Sequence, residues 1–384
     1  MDFTLPEELN LLRDMVRDFA RNEIAPRVEE MEEKEEIPKD LIDQMAELGF
    51  FGIMFPEEYG GTGMGKLGYC IMQEEISRVH ASTSVLIGAS EGLAGGALLL
   101  DGTEEQKKKY LTGIAEGKLI GAYALTEPNA GSDAGSIQTS AVKDGNEWVI
   151  NGRKIFITNG GIADIVIVYA VTDKSLGPRG GITAFIVETD WNGFSVGKIE
   201  NKMGIRATNT AELIFEDLRV PEENVLGQVG IGFKNALTTL DYGRLTLACG
   251  CLGAAKEALD MALKYSQERQ QFGKPISSFQ TIQNYLAEMA IDVFAIESMT
   301  YRVAWMADQN MDIIREASIV KNFASEVSDR VIDKALQIHG GYGYIKDFPI
   351  ERMYRDSRIN RIFEGTNEIQ KYIIYKTLER KGRF

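Results

Sequence analysis

Two spacings in this chain could do chemistry by themselves, and each is checked first against its surroundings. Cys249-Gly250-Cys251 has the form of a soft-metal or redox pair. It lies in an apolar helical stretch without further soft ligands, so the sequence predicts buried thiols, since free cysteine packs as a small hydrophobe. Gly63-Met64-Gly65-Lys66-Leu67-Gly68 fits the glycine fingerprint of a dinucleotide cradle. That cradle needs a strand feeding it and a βαβ unit around it. Here Pro56 and two glutamates precede it and the neighbourhood reads as helical, so a glycine-rich connector is expected. His80 and His339 are the only histidines and lie far apart, which argues against a histidine zinc site or a serine triad.

Four longer stretches combine hydroxyls, carboxylates, cations and tight glycines. They are Tyr123-Ala124-Leu125-Thr126-Glu127-Pro128-Asn129-Ala130-Gly131-Ser132-Asp133; Lys154-Ile155-Phe156-Ile157-Thr158-Asn159-Gly160; Arg269-Gln270-Gln271-Phe272-Gly273-Lys274-Pro275-Ile276, with Phe279-Gln280 just after; and Gln337-Ile338-His339-Gly340-Gly341-Tyr342-Gly343-Tyr344, followed by Ile362-Phe363-Glu364-Gly365-Thr366-Asn367-Glu368-Ile369. Taken singly, each has an ordinary explanation. Strand-end threonines and glycines make turns, Arg269 can be a helix-end cation, and Glu364-Gly365-Thr366 can cap a helix.

The elements that must position these groups fall into three zones. Residues 1–120 read as an N-terminal α-helical domain: Leu9, Leu12, Val16 and Phe19 recur at helical spacing, the acidic run 29–36 reads as a solvated helix end, and Pro38 opens a helix that Gly49 stops. Residues 121–235 carry β-rich runs at 148–150, 155–158, 165–169 and 182–187, with Asp144-Gly145-Asn146, Asn151-Gly152 and Asn159-Gly160-Gly161 read as hairpin chemistry. No helix-length pattern separates these runs, so a largely antiparallel β-barrel or sandwich is expected. Residues 236–384 return to helical spacing, with Leu252, Ala255, Leu259 and Ala262 as one stripe and long helices over 282–309 and 315–339, as a four-helix-bundle-like domain. The fold class is therefore α+β, with the two helical zones expected to pack together beside the β unit.

Composition bounds the partners. The chain of 384 residues is 44% hydrophobic and 26% charged, an ordinary globular balance. Acids outnumber bases 57 to 42, for a net charge of −15, which disfavours nucleic acid and leaves room for a local basic pocket around one phosphorylated ligand. Three widely spread cysteines suggest a reducing compartment. Met1-Asp2-Phe3-Thr4-Leu5-Pro6 has no signal-peptide pattern, and no stretch is expected to approach the length of apolar sequence that spans a bilayer. The expected location is cytoplasmic.

In this order and across this α–β–α layout, the four stretches resemble the flavin-dependent acyl-CoA dehydrogenase family, with the nearest likeness to short-chain, butyryl-type members. The resemblance covers essentially the whole chain and implies FAD held between subunits of a homotetramer built as a dimer of dimers. Tyr123, Leu125 and Thr126, with Phe156, Ile157 and Thr158, match segments lining the flavin, where hydroxyls and backbone amides suit the electron density that the reduced ring gathers. Phe156 stands where some relatives have tryptophan. Arg269, Gln271 and Phe272 match positions around the FAD pyrophosphate and ribose. Gln280, Gln337, Ile338, Gly340 and Gly341 match contacts from a neighbouring subunit, and Thr366 and Glu368 also fall on cofactor positions. Ser132, Asp241, Arg244 and Gly365 match contacts to the CoA thioester and its arm.

The family reaction is α,β-dehydrogenation of an acyl-CoA to the 2-enoyl-CoA, a step of fatty or carboxylic acid degradation. A carboxylate takes the α proton and the β hydrogen leaves as hydride to flavin N5; the thioester oxygen is polarised by a ribityl hydroxyl and the N–H of the catalytic glutamate. Glu364 matches that glutamate. Branched-chain relatives can carry the base at the position of Gly243, which glycine leaves empty here. A short acyl group is implied, with branched and cyclic ones left open, and electron-transferring flavoprotein is the family's usual acceptor. The alternatives are an acyl-CoA oxidase, whose members usually extend further at the C-terminus, and a catalytically silent scaffold, against which the intact Glu364 and flavin segments speak. Glu91 falls in a small, apolar stretch of the helix that borders the acyl pocket in relatives. It is read either as solvated or locally hydrogen-bonded, or as facing the distal acyl end.

Overall fold

Leu9, Leu12, Val16 and Phe19 are the buried stripe of α1 (Glu7–Phe19) in the computed structural model, which describes residues 4–382. Met1–Phe3, part of the N-terminal stretch read above, lie outside the described residues. The acidic run forms α2 (Val28–Lys34), with Met31 turned inward and Glu29, Glu30 and Glu33 in solvent. Next, α3 (Lys39–Glu47) follows Pro38 and ends before Gly49, whose φ of +77° suits glycine.

The glycine-rich connector leads into α4 (Gly65–Val79) from a 3-10 turn at Glu57–Tyr59, with no strand before it. The start of that helix meets the chain's own carboxylate: Asp308 accepts from Lys66 N at 2.6 Å and from Leu67 N at 3.0 Å. An internal anion thus takes the place a phosphate would occupy at a helix N-terminus.

One expectation is corrected at the following helix. A continuous helical run, α5 (Ala81–Asp101), is long and apolar enough to cross a bilayer by length and composition. Its serines and glycines, broken by Glu91, hid that character in the sequence. Most of it is buried against α4, the first strand and the long helix α6 (Gly232–Glu268), as befits a core helix.

The β unit is one eight-stranded sheet: β1 (Gly121–Ala124), β2 (Ser140–Asp144), β3 (Glu147–Thr158), β4 (Ile165–Val171), β5 (Ile182–Glu188), β6 (Phe194–Ile199), β7 (Thr210–Pro221) and β8 (Val225–Leu226). The path β6-β7-β3-β2-β4-β5-β8 is antiparallel except at the single β2–β4 pairing, and β1 lies parallel to β4. Asn151-Gly152 does not make a hairpin. The runs 148–150 and 155–158 are one strand, β3, with a register shift at Gly152, whose Cβ would stand 2.6 Å from Thr139 Oγ1. Both faces of β4 are covered: Ile165, Ile167 and Tyr169 join the core shared with the N-terminal helices, and Val166, Val168 and Ala170 pack on the other side.

The C-terminal helices are α6, α7 (Gln280–Asp308), α8 (Ile314–His339), α9 (Ile350–Ser357) and α10 (Asn367–Lys381). A short hairpin of β9 (Gln270–Gln271) and β10 (Lys274–Pro275) links α6 to α7. Helix α6 packs on α8, α7 and α4, so both helical zones form one bundle. At Gly253 a Cβ would lie 2.1 Å from the Glu74 carbonyl oxygen, which sets how closely α6 and α4 approach. All three cysteines are free and buried in this region.

Candidate active site

A cavity of ≈1420 Å³ lies where the ends of β1 and β3 face α5, α6 and the turn between α9 and α10. Tyr123, Leu125 and Thr126 line it from the β1 side, and Phe156, Ile157 and Thr158 from the end of β3. Ser132 joins from the loop after β1, Asp241 and Arg244 from α6, and Glu364, Gly365 and Thr366 from the turn. Phe156 is 61% exposed and sits at φ +58°, so its ring is held toward open space by a backbone conformation that side chains seldom adopt.

Glu364 also lies in the left-handed region, at φ +55°. Its Oε2 is fully enclosed and has no hydrogen-bond partner among the described residues. Burial pushes its carboxyl up to about 7, with the Arg244 and Lys321 cations opposing. Helix α6 leaves room for it because residue 243 is glycine: a Cβ there would stand 2.3 Å from Glu364 Oε2. Arg244 Nη1 donates to Asp241 Oδ1 at 2.5 Å, and Arg244 Nε reaches Glu364 O at 3.4 Å. Burial pushes Asp241 up to about 6 against the pull of Arg244.

Two residues that the sequence reading missed hold this turn in place. Lys321 Nζ, buried in α8, donates to Gly365 O and Asn367 Oδ1, both at 2.9 Å. Gln370 Nε2 donates to Glu364 O at 3.2 Å and Gly365 O at 2.9 Å. The available signal was a lysine at helical spacing from Ala317 and Ala324, on a face whose other buried residues near it are small apolar ones and serines.

A second, smaller cleft of ≈490 Å³ gathers Arg269, Gln271, Ile338, Gly340 and Gly341. No residue lines both spaces. Arg269 lies over the Tyr342 ring, 5.6 Å from its centroid, and forms no ion pair among the described residues. Nothing stands within 4 Å of where a Cβ would project from Gly340 or Gly341. Phe272 is 91% exposed on the β9–β10 hairpin. Gln280, Gln337 and Glu368 are exposed and line neither cleft.

Glu91 lines neither cleft and is fully buried, which removes the solvated option. Its Oε1 accepts from Met54 N at 2.8 Å while Oε2 has no partner among the described residues. Burial pushes its carboxyl up to about 8.

These features fit an FAD. The Thr126 and Thr158 hydroxyls border a space large enough for a planar ring, Arg269 is a cation without a carboxylate partner in an acidic chain, and Gly340-Gly341 offers backbone that a ligand can approach closely.

Comparison with known proteins covers all three units. The acyl-CoA dehydrogenase N-terminal, middle and C-terminal domain models match residues 6–118, 122–218 and 230–379. A short-chain specific acyl-CoA dehydrogenase of Clostridium acetobutylicum is 46% identical, over 97% of this chain and 98% of that protein. The caffeyl-CoA reductase-Etf complex subunit CarC of Acetobacterium woodii is 47% identical, over 98% and 99%. Among solved structures, butyryl-CoA dehydrogenase from Megasphaera elsdenii superposes with a TM-score of 0.97 at 43% identity, covering 99% of this chain and 100% of that one. An acyl-CoA dehydrogenase complexed with FAD from Bacillus anthracis gives 0.92 at 40% identity, covering 98% and 68%. Matched over nearly its whole length, the chain belongs to the acyl-CoA dehydrogenase family, as an oxidoreductase that uses FAD.

Proposed function

We propose that Glu364 is the base by which this enzyme removes the α proton of a short acyl-CoA thioester on the way to the 2-enoyl-CoA. The observation that carries this assignment is its enclosed, unpartnered Oε2 in the main cavity. A carboxyl held near 7 is largely ionised just above neutrality and basic enough to take a weakly acidic proton. The Glu364 N–H has no acceptor among the described residues and can meet the thioester oxygen as negative charge develops there. Bound FAD supplies the acceptor for the β hydrogen, which leaves as hydride. The paired Asp241 and Arg244, with Ser132 and Gly365, are assigned to the thioester and its CoA arm. Thr126, Phe156, Thr158 and their neighbours are assigned to the flavin ring, and Arg269 and Gln271 to its pyrophosphate.

Glu364→Gln is nearly isosteric and cannot accept the proton. It should still bind acyl-CoA but bleach the flavin about 10²–10⁴-fold more slowly, measured anaerobically by stopped flow. A wild-type rate would move the base elsewhere.

The two clefts, with Phe272, Gln280 and Gln337 exposed around the smaller one, support a homotetramer in which neighbouring chains complete each FAD site. Electron-transferring flavoprotein is proposed as the acceptor, since one relative is named as a subunit of an Etf complex. Three free thiols suit a reducing compartment, and the cytoplasm is proposed.

A further inference from the structure

Beyond Glu364 the main cavity continues along α6. Gly243, Thr246, Leu247 and Gly250 fall on one helix face, and the last three line the cavity. Seven residues of α-helix rise about 10 Å, so Gly250 lies about that far from the carboxylate that packs on Gly243. A butyryl group does not span that distance.

Three polar side chains meet at this far end: Gln73 and Ser77 from α4, and Ser84 from α5. They are only 2%, 7% and 6% exposed. A Cβ on Gly250 would stand 3.1 Å from Ser77 Oγ and 3.9 Å from Ser84 Oγ, and one on Gly88 3.9 Å from Gln73 Nε2. The glycines therefore leave width where the polar atoms gather. Gln73 Nε2 donates to the Tyr69 hydroxyl at 3.0 Å, and Ser84 Oγ donates to Gln73 Oε1. The second Gln73 amide hydrogen remains without an acceptor, and the Ser77 hydroxyl has no hydrogen-bond partner among the described residues. A hydroxyl facing a cavity loses its water when an acyl chain fills the space, which is unfavourable unless the chain bonds it. Arg78, next to Ser77 in the chain, is paired with Glu257 and Asp260, and Arg352 donates to Val79 O at 3.4 Å.

Resting on the acyl-CoA reaction proposed above, we infer that the far end of the acyl arm binds an uncharged hydroxyl carried on the acyl group, on an aryl ring or an alkyl chain. A plain hydrocarbon leaves the Ser77 hydroxyl unpaired.

The test uses the holoenzyme and non-reactive CoA thioethers in matched pairs, with affinities read by calorimetry. The pairs are the thioether counterparts of 3-(4-hydroxyphenyl)propionyl-CoA against 3-phenylpropionyl-CoA, and of 6-hydroxyhexanoyl-CoA against hexanoyl-CoA. The hydroxylated member of at least one pair should bind about tenfold tighter, the size of one buried hydrogen bond, and the responding pair identifies the carrier. Ser77→Ala should bring the preference to about one, with Gln73→Leu as an independent second variant. Equal or weaker binding of both hydroxylated ligands, or a preference unchanged in both variants, overturns the inference. Failure of every acyl-CoA thioester to bleach the flavin would instead overturn the proposed reaction, with the thioether ratios still deciding the distal site.

Discussion

At Glu364 the backbone and the side chain are both held away from their preferred states. Its left-handed φ costs on the order of 1–2 kcal/mol for a residue with a Cβ, and its carboxyl sits near 7 because burial disfavours the charged form. Lys321 and Gln370 offset part of the backbone cost by clamping the adjoining carbonyls. Lys321 also favours the ionised carboxylate, since its cation opposes the upward shift. The proposed base works when deprotonated, so kcat/KM should rise with pH through about 7 and level off above. Lys321→Met removes an opposing cation, so that limb should move to higher pH while the plateau falls. A rate profile for substrate-dependent flavin reduction between pH 5 and 9 checks both effects. A variant with a lower plateau but an unmoved limb would confine Lys321 to holding the turn.

Elements decide whether such residues meet, and here the sequence was legible in parts. The buried stripe of α1, the stop at Gly49 and the long helices were readable because helical spacing and glycine turns are local signals. Asn151-Gly152 misled because the same dipeptide serves a hairpin turn or a bulge inside one strand, and only the partner strand β7 decides between them. The spacing of Lys321 was visible but its role was not, because its partners, Gly365 and Asn367, lie more than forty residues away. Gly243 was noticed as an empty position, and the structure adds the distance that makes it matter. Gly243→Ala keeps α6 helical but places a methyl 2.3 Å from Glu364 Oε2 and 2.9 Å from Leu93 Cδ2. The Glu364 carboxylate must move, and if it is the base as proposed, a displacement of that order costs up to about 10²-fold in rate. Far-UV circular dichroism should be unchanged while single-turnover flavin reduction slows; an unaltered rate would mean that the carboxylate has room to swing aside.

At the scale of the whole molecule, residues expected to hold one cofactor occupy two separate clefts of one chain. The resemblance assigned these groups to different parts of the cofactor, but no local signal shows that they line separate clefts, because that depends on how distant segments pack. An acidic chain with a solvent-facing cation over Tyr342 and a 91% exposed phenylalanine beside it has a surface that a second copy can complete. A second feature points the same way on the neighbouring helix. Ile291, Phe294 and Trp305 are 68%, 71% and 54% exposed and fall on one face of α7 by helical spacing. A row of large apolar side chains left in water at this length marks a contact surface more often than an inert one. Phe294→Glu puts a charge in the middle of that row without touching either cleft. It should shift the mass measured by light scattering to a smaller species, and the FAD-to-protein ratio at 450 and 280 nm should fall with it, because in the proposed assembly each cofactor draws groups from a neighbour. A smaller species that keeps its full FAD would separate assembly from cofactor binding, and the two clefts would then have to close within one chain.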